Sequence, residues 1–262
     1  TLPEADAIVD PNQHGDRFPS KALAGVGVLF YLLLALRAQL GVQADLAALL
    51  DLVAVGTVAD MVPLDANNRA LVGAGLRRLR AGQGCAGLNA LAAVAGRHLA
   101  TLTTADIGFA IGPRINAAGR LEDMRLGIEC LLTDDAAQAR ALAEALHAIN
   151  AERRGLQADM LAAADAALAR VADDASAPAG GYCLYDPEWH AGVIGLVASR
   201  IKERRHRPVL AFAPSGNGDG MLRGSMRSIP GFHARDALAL VDARHPGLIE
   251  RFGGHAMAAG LS

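Results

Sequence analysis

Apolar positions fall into two textures along the chain. Residues 1–133 carry long apolar runs broken by short polar turns, and residues 182–227 alternate short apolar runs with one amphipathic stretch. The run 22–36 is flanked by Lys21 and Arg37, and it is shorter than the roughly 20 apolar residues that span a bilayer. It is expected to be a buried helix capped by Ser20. Residues 5–9 read as the end of a short strand, and 43–52 as a helix. The near-continuous run 52–58 fits either a buried strand or a helix feeding one, and periodicity does not decide between them. Residues 67–80 and 87–95 have helical periodicity, and Thr103-Thr104-Ala105-Asp106 resembles a helix start.

From 134 to 171 there is no proline, and only Gly155 interrupts a run rich in Ala, Leu, Glu, Gln and Arg. Such a composition predicts one helix of roughly 55 Å. Leu142, Leu146, Ile149, Leu156, Met160 and Leu168 form its apolar stripe. The small, acidic segment 172–181 then suggests a domain boundary. Beyond it, 182–185 and 208–212 read as strands, 193–205 as a helix, 215–220 as a hairpin turn, and 222–227 as a strand pairing back. The expected class is α/β with a mixed sheet.

The 262 residues are 52% hydrophobic, enough for one large or two ordinary buried cores. Formal net charge is -2, which argues against nucleic-acid binding by bulk positive charge and leaves only local contacts. Cys85, Cys130 and Cys183 are odd in number and widely spaced; they suggest neither a disulfide framework nor a zinc knuckle, and a reducing cytoplasm fits them. Nothing suggests a membrane segment, and the start at Thr1 reads as an internal cut.

Two C-terminal motifs carry the chemistry. Gly253-Gly254-His255 lets a backbone approach a ligand and aims an imidazole at it. Gly224-Ser225-Met226-Arg227-Ser228 adds hydroxyls and the guanidinium fork that fits a phosphate. His190, beside Trp189, stands at the start of an expected helix, where phosphates are attracted; packing and a satisfied imidazole are the equal alternative. Asp60 ends the 52–58 run, and a strand terminus there would project a carboxylate able to bind a hard cation; a loop or cap aspartate fits as well. Arg114, Asn116 and Arg120 lie among small residues in 112–120, a composition that suits close approach to a ligand but also a plain helix-terminal loop with surface arginines.

With Phe18-Pro19-Ser20-Lys21 and Gly56-Thr57-Val58-Ala59-Asp60, these stretches resemble the DHH phosphoesterase superfamily, and within it the RecJ-type single-stranded-DNA exonucleases. The resemblance implies the C-terminal part of a DHH domain at 1–133, a connecting helix at 134–172 and a DHHA1 substrate domain at 173–262. It implies 5′ to 3′ hydrolysis of single-stranded DNA in recombination and repair, with Mn²⁺ or Mg²⁺ in a two-metal site. Asp60 would be a metal ligand. Arg114, Asn116, Arg120, His190, Ser225, Arg227, Ser228, Gly253, Gly254 and His255 would meet substrate. No Asp-x-Asp or Asp-His-His is present, so most metal ligands are expected to lie N-terminal to Thr1 and this stretch is expected to be inactive alone. Single-strand-binding protein and a helicase are the implied protein partners. An oligoribonuclease or bisphosphate-nucleotide phosphatase of the same superfamily, and a non-catalytic replication scaffold, are the alternatives.

Overall fold

The computed structural model describes residues 3–172, 180–216, 218 and 220–262. The chain packs as two compact units, Thr1–Asn150 and Ala151–Ser262. The expected boundary segment lies mostly outside the described residues.

The first unit is helical: α1 (Gly25–Leu40), α2 (Leu50–Ala59), α3 (Ala66–Arg80), α4 (Ala86–Val94), the single turn α5 (Thr104–Asp106), α6 (Gly112–Leu121), α7 (Arg125–Leu132) and the first part of α8 (Ala136–Ala172). The run 52–58 is helix rather than strand. α2 buries Val53, Ala54, Val55 and Thr57, so nearly every side of it meets protein and no polar face marks its period. Its closest neighbour is α3. A Cβ on Gly75 would stand 2.1 Å from the Leu50 carbonyl oxygen, so only glycine lets the two backbones meet there.

Polar side chains fix the joints. Asp65 caps α3 by accepting from the Asn68 backbone NH at 2.8 Å and from the Ser20 hydroxyl at 2.7 Å. Ser20 therefore serves α3; α1 begins at Gly25 without a side-chain cap. Buried Asp51 accepts from the Leu52 NH at 2.8 Å and the Cys85 NH at 2.7 Å. Thr103 and Asp106 form the reciprocal capping box that their spacing suggests. Two expectations fail here. Residues 5–9 form no strand, and α1 is only partly buried, with Leu29, Leu32, Leu36 and Leu40 exposed along one side. No helix among the described residues is long and apolar enough to cross a membrane.

The second unit holds the rest of α8 and a five-stranded mixed sheet of β1 (Tyr182–Tyr185), β2 (Val209–Pro214), β3 (Leu222–Arg227), β4 (Phe252–Gly254) and β5 (Ala258–Leu261), in the order β1-β2-β3-β5-β4. β1 and β2 are parallel, joined through α9 (Ile194–Arg205); the other pairings are antiparallel. Alternation along β3 divides the work of its two faces. Met226 packs with Ala259 and with Ala234 and Leu238 of α10 (Ala234–Arg244) on one face, while Ser225 and Arg227 lie on the other, against α9. Arg204 of α9 pairs with Asp165 of α8 at 2.7 Å.

Candidate phosphate-binding face

In the first unit Asp60 is the C-cap of α2, and its neighbour Met61 takes a left-handed conformation with φ of 57°. The expected strand terminus is thus a helix terminus. A carboxylate there faces the negative end of the helix dipole, where folding gains nothing from it and a bound cation would. Asp60 is exposed, and among the described residues its carboxylate has no hydrogen-bond or ion-pair partner. The described residues contain no group of three or more His, Cys, Asp or Glu able to hold a metal. One carboxylate does not make a metal centre, so this chain's own residues do not by themselves fit a divalent ion.

The 112–120 stretch is α6 rather than a loop. Its small residues serve packing: Ala117 and Ala118 are fully buried, and a Cβ on Gly112 would stand 3.4 Å from the Ala59 Cβ. That contact sets the start of α6 against the last turn of α2, beside Asp60. Asn116 and Arg120, four residues apart, share an exposed side of α6. Arg114 points elsewhere, donating to the Ala110 carbonyl at 2.6 Å and to His147 Nδ1 at 3.2 Å.

The second unit assembles its candidates more tightly. Across the sheet, Ser225 of β3 stands opposite Gly260 of β5, which stands opposite Gly253 of β4. One row over, Arg227 faces Ala258, and the His255 NH donates to the Ala258 carbonyl at 2.8 Å. Ser225, Arg227, Gly253 and His255 are thereby gathered on one face whose floor is glycine and alanine. α9 lies over the β3 side; Gly253, His255 and Gly260 are exposed.

Arg227 is held rather than loose. Its Nη1 donates to Ser225 Oγ at 2.9 Å and to the Met226 carbonyl at 2.9 Å. Its Nε donates to Ser199 Oγ at 3.2 Å, and Ser199 in turn donates to the Gly195 carbonyl at 3.0 Å. A Cβ on Gly195 would lie 2.8 Å from Arg227 Nη2. Gly195 and Ser199, one helical turn apart, are thus the seat of the guanidinium. Neither is singled out by sequence reasoning, because a Gly and a Ser four apart in a helix carry no motif; only their pairing with β3 reveals them.

Three other candidates have structural work. Ser228 is fully buried, its hydroxyl donating to the Phe232 carbonyl at 2.6 Å and its NH to the Met257 carbonyl at 2.9 Å, so it braces the turn that presents His255. Gly254, at φ 149°, leaves no room for a Cβ, which would stand 2.4 Å from the Ala258 carbonyl oxygen. His190 is exposed, and its Nδ1 accepts from the Gly192 NH at 3.1 Å, while Trp189 beside it is buried. A cavity of about 670 Å³ lies between the 8–18 segment and α1; its lining is mostly apolar, and none of the candidate residues faces it.

A mixed sheet with a glycine-floored face and a clamped arginine defines the class: residues 179–262 match the DHHA1 domain. Over its whole length the chain is 54% identical to the single-stranded-DNA-specific exonuclease RecJ of Dickeya dadantii and 53% identical to that of Escherichia coli, in each case across 47% of the relative. RecJ of Thermus thermophilus in complex with Mg²⁺ superposes with a TM-score of 0.78 at 40% identity, covering 94% of this chain and 36% of that one. A manganese-bound exonuclease RecJ gives 0.75 at 38%, covering 96% and 59%. The chain is thus similar to RecJ exonucleases over its whole length, and it spans about half the length of the two bacterial relatives.

Proposed function

We propose that the protein containing this chain is a metal-dependent exonuclease that removes nucleotides from single-stranded DNA, and that the β3-β5-β4 face holds the strand's phosphates. The carrying observation is the clamped Arg227 in one row with Ala258 and His255, beside an exposed glycine floor. Arg227 offers a preorganised fork, so little side-chain entropy is lost when a phosphate docks. Ser225 adds a hydroxyl, His255 a ring nitrogen, and the missing side chains of Gly253 and Gly260 let the strand lie against the sheet.

Asp60 is assigned one place in a divalent site whose other ligands lie outside these 262 residues. Divalent ions, as found with the RecJ structures, would supply water activation and charge neutralisation; one carboxylate from this chain contributes to their placement. Asn116 and Arg120, on the helix that abuts Asp60, are assigned to the same neighbourhood. The 5′ to 3′ direction, the two-metal arrangement, a cytoplasmic location and cooperation with single-strand-binding protein and a helicase are supported by the likeness to RecJ and belong to this reading.

The test is hydrolysis of end-labelled single-stranded and duplex DNA by the full-length protein, with Mn²⁺ or Mg²⁺ and with chelator. Cleavage confined to single strands, lost on chelation and lost in Asp60→Ala while strand binding persists, is the expected result. Activity in Asp60→Ala within tenfold of the parent removes Asp60 from the metal site, and metal-independent cleavage rejects the reading.

A further inference from the structure

The face that gathers Arg227 and His255 continues past the glycine row. Along β3, Arg223 lies on the same side as Ser225 and Arg227, since side chains two apart share a face. One residue beyond the last ladder pairs, Ser262 and Arg251 exchange both backbone hydrogen bonds, Ser262 NH to the Arg251 carbonyl at 2.8 Å and Arg251 NH to the Ser262 carbonyl at 3.3 Å. With Gly224 opposite Leu261 and Leu261 opposite Phe252, the next row across the three strands is Arg223, Ser262, Arg251. These residues, with Gly253 and Gly260, line a cavity of about 310 Å³.

Both arginines are exposed, and among the described residues neither guanidinium has a hydrogen-bonding or carboxylate partner. Glu250 lines the adjoining hollow but forms no ion pair with either. Their backbones stand two strand spacings apart, roughly 9.5 Å, so the two like charges repel each other and gain nothing from the fold. An anion between them relieves that repulsion, and the hydroxyl of Ser262 adds a donor at the middle of the row.

We propose that Arg223 and Arg251 form a second phosphate subsite, which grips the same single strand at a phosphate distant from the one held by Arg227 and His255. The inference rests on the reading of this face as the strand's bed and adds a second point of attachment to it. The two arginine rows are four residues apart along β3, about 13 Å. That exceeds several times the roughly 3.4 Å rise per nucleotide of a stacked strand, so one phosphate cannot serve both rows. The glycine row between them, without side chains at Gly253 and Gly260, lets sugar and base pass over the sheet. Arg227 would then fix the phosphate near one end of the strand while Arg223 and Arg251 set how long a strand must be to bind well.

The experiment measures binding of fluorescent oligodeoxythymidylates to the full-length protein in chelator, over a salt series, with strands from two to twelve nucleotides. Arg223→Gln with Arg251→Gln is expected to weaken the longer strands about tenfold at low salt, to leave the dinucleotide unchanged, and to flatten the salt dependence by a slope of about 0.7, the value for one lost phosphate contact. Arg227→Ala is expected to weaken both lengths. If Arg227→Ala weakens binding and the double Gln variant changes neither affinity nor slope at any length, the second subsite is rejected while the phosphate-bed reading stands. If none of the three substitutions alters binding, both fall. Equal weakening of short and long strands by the Gln pair places Arg223 and Arg251 on the same phosphate as Arg227 and also overturns the proposal.

Discussion

Arg227 and Ser199, 28 positions apart, are joined by a hydrogen bond from Nε to Oγ at 3.2 Å. Through it a helix reaches over to aim an arginine on a strand. Removing the hydroxyl in Ser199→Ala should leave the guanidinium present but less constrained. We expect KM for single-stranded DNA to rise several-fold with a smaller change in kcat, the loss being on the order of 1 kcal/mol for one such bond. Ser199→Thr, which keeps the hydroxyl, should restore most of the affinity. Gly195→Ala should be worse, because its Cβ would displace the guanidinium from 2.8 Å. Unaltered KM in both Ala variants would show that α9 does not position Arg227.

Arg227 and His255 flank Ala258 in one row, and if they grip one phosphate their effects should interlock. Each Ala substitution should cost roughly 1.5–3 kcal/mol of transition-state binding. The double variant should fall short of the sum by more than about 0.5 kcal/mol. A double-mutant cycle on strand cleavage, with and without a 5′ phosphate, reads this directly; strict additivity would place the two side chains on different groups.

Asp60 should show opposite effects on folding and on turnover. Because its carboxylate opposes the dipole of α2, Asp60→Asn is expected to raise the melting temperature slightly in chelator. In metal it should lower turnover by more than the roughly 10–100-fold typical of outer-shell residues. Thermal unfolding and cleavage measured on the same preparation test the pair. A lower melting temperature would mean that the carboxylate serves the fold.

Two capped helix starts set an acid limit on the first unit. Hydrogen bonds from the Asn68 NH and then the Ser20 hydroxyl lower the Asp65 pKa from 3.8, and the Thr103 hydroxyl and backbone NH lower that of Asp106. A carboxylate lowered in the folded state contributes stability that is fully present above its unfolded value and is lost as pH falls through the folded one. Stability should therefore decline below about pH 4, and the decline should be shallower in Asp65→Asn. Urea titrations between pH 3 and 6 measure it; an unchanged acid slope would contradict the assignment.

Local rules carried far in this sequence where one force decides alone. α8 runs Ala136–Ala172 against an expected 134–171, because uninterrupted helix formers leave the backbone one choice. β1, β2 and β3 were legible as short apolar runs between turns, whereas β4 and β5, rich in glycine and alanine, carry no strand signal of their own. α2 was not, since a helix enclosed on all sides loses the polar face that would reveal its period. Ser20 was misplaced because its partner, Asp65, lies 45 residues away, beyond any local capping rule. The 112–120 stretch contains Gly, Ala and Pro for reasons of packing against α2, and composition alone cannot separate close approach to a helix from close approach to a ligand. Gly195 and Ser199 were invisible for a related reason: their role exists only once β3 lies beneath α9.

The alternation along β3 works as a reading frame. Met226 belongs to the core with Ala259, while Ser225 and Arg227 belong to the ligand face. Insertion or loss of a single residue in the strand would exchange the two sets, driving a guanidinium into the apolar layer and exposing the methionine. Drift in the spacing of this binding row is therefore policed by folding itself, before catalysis is ever put to the test.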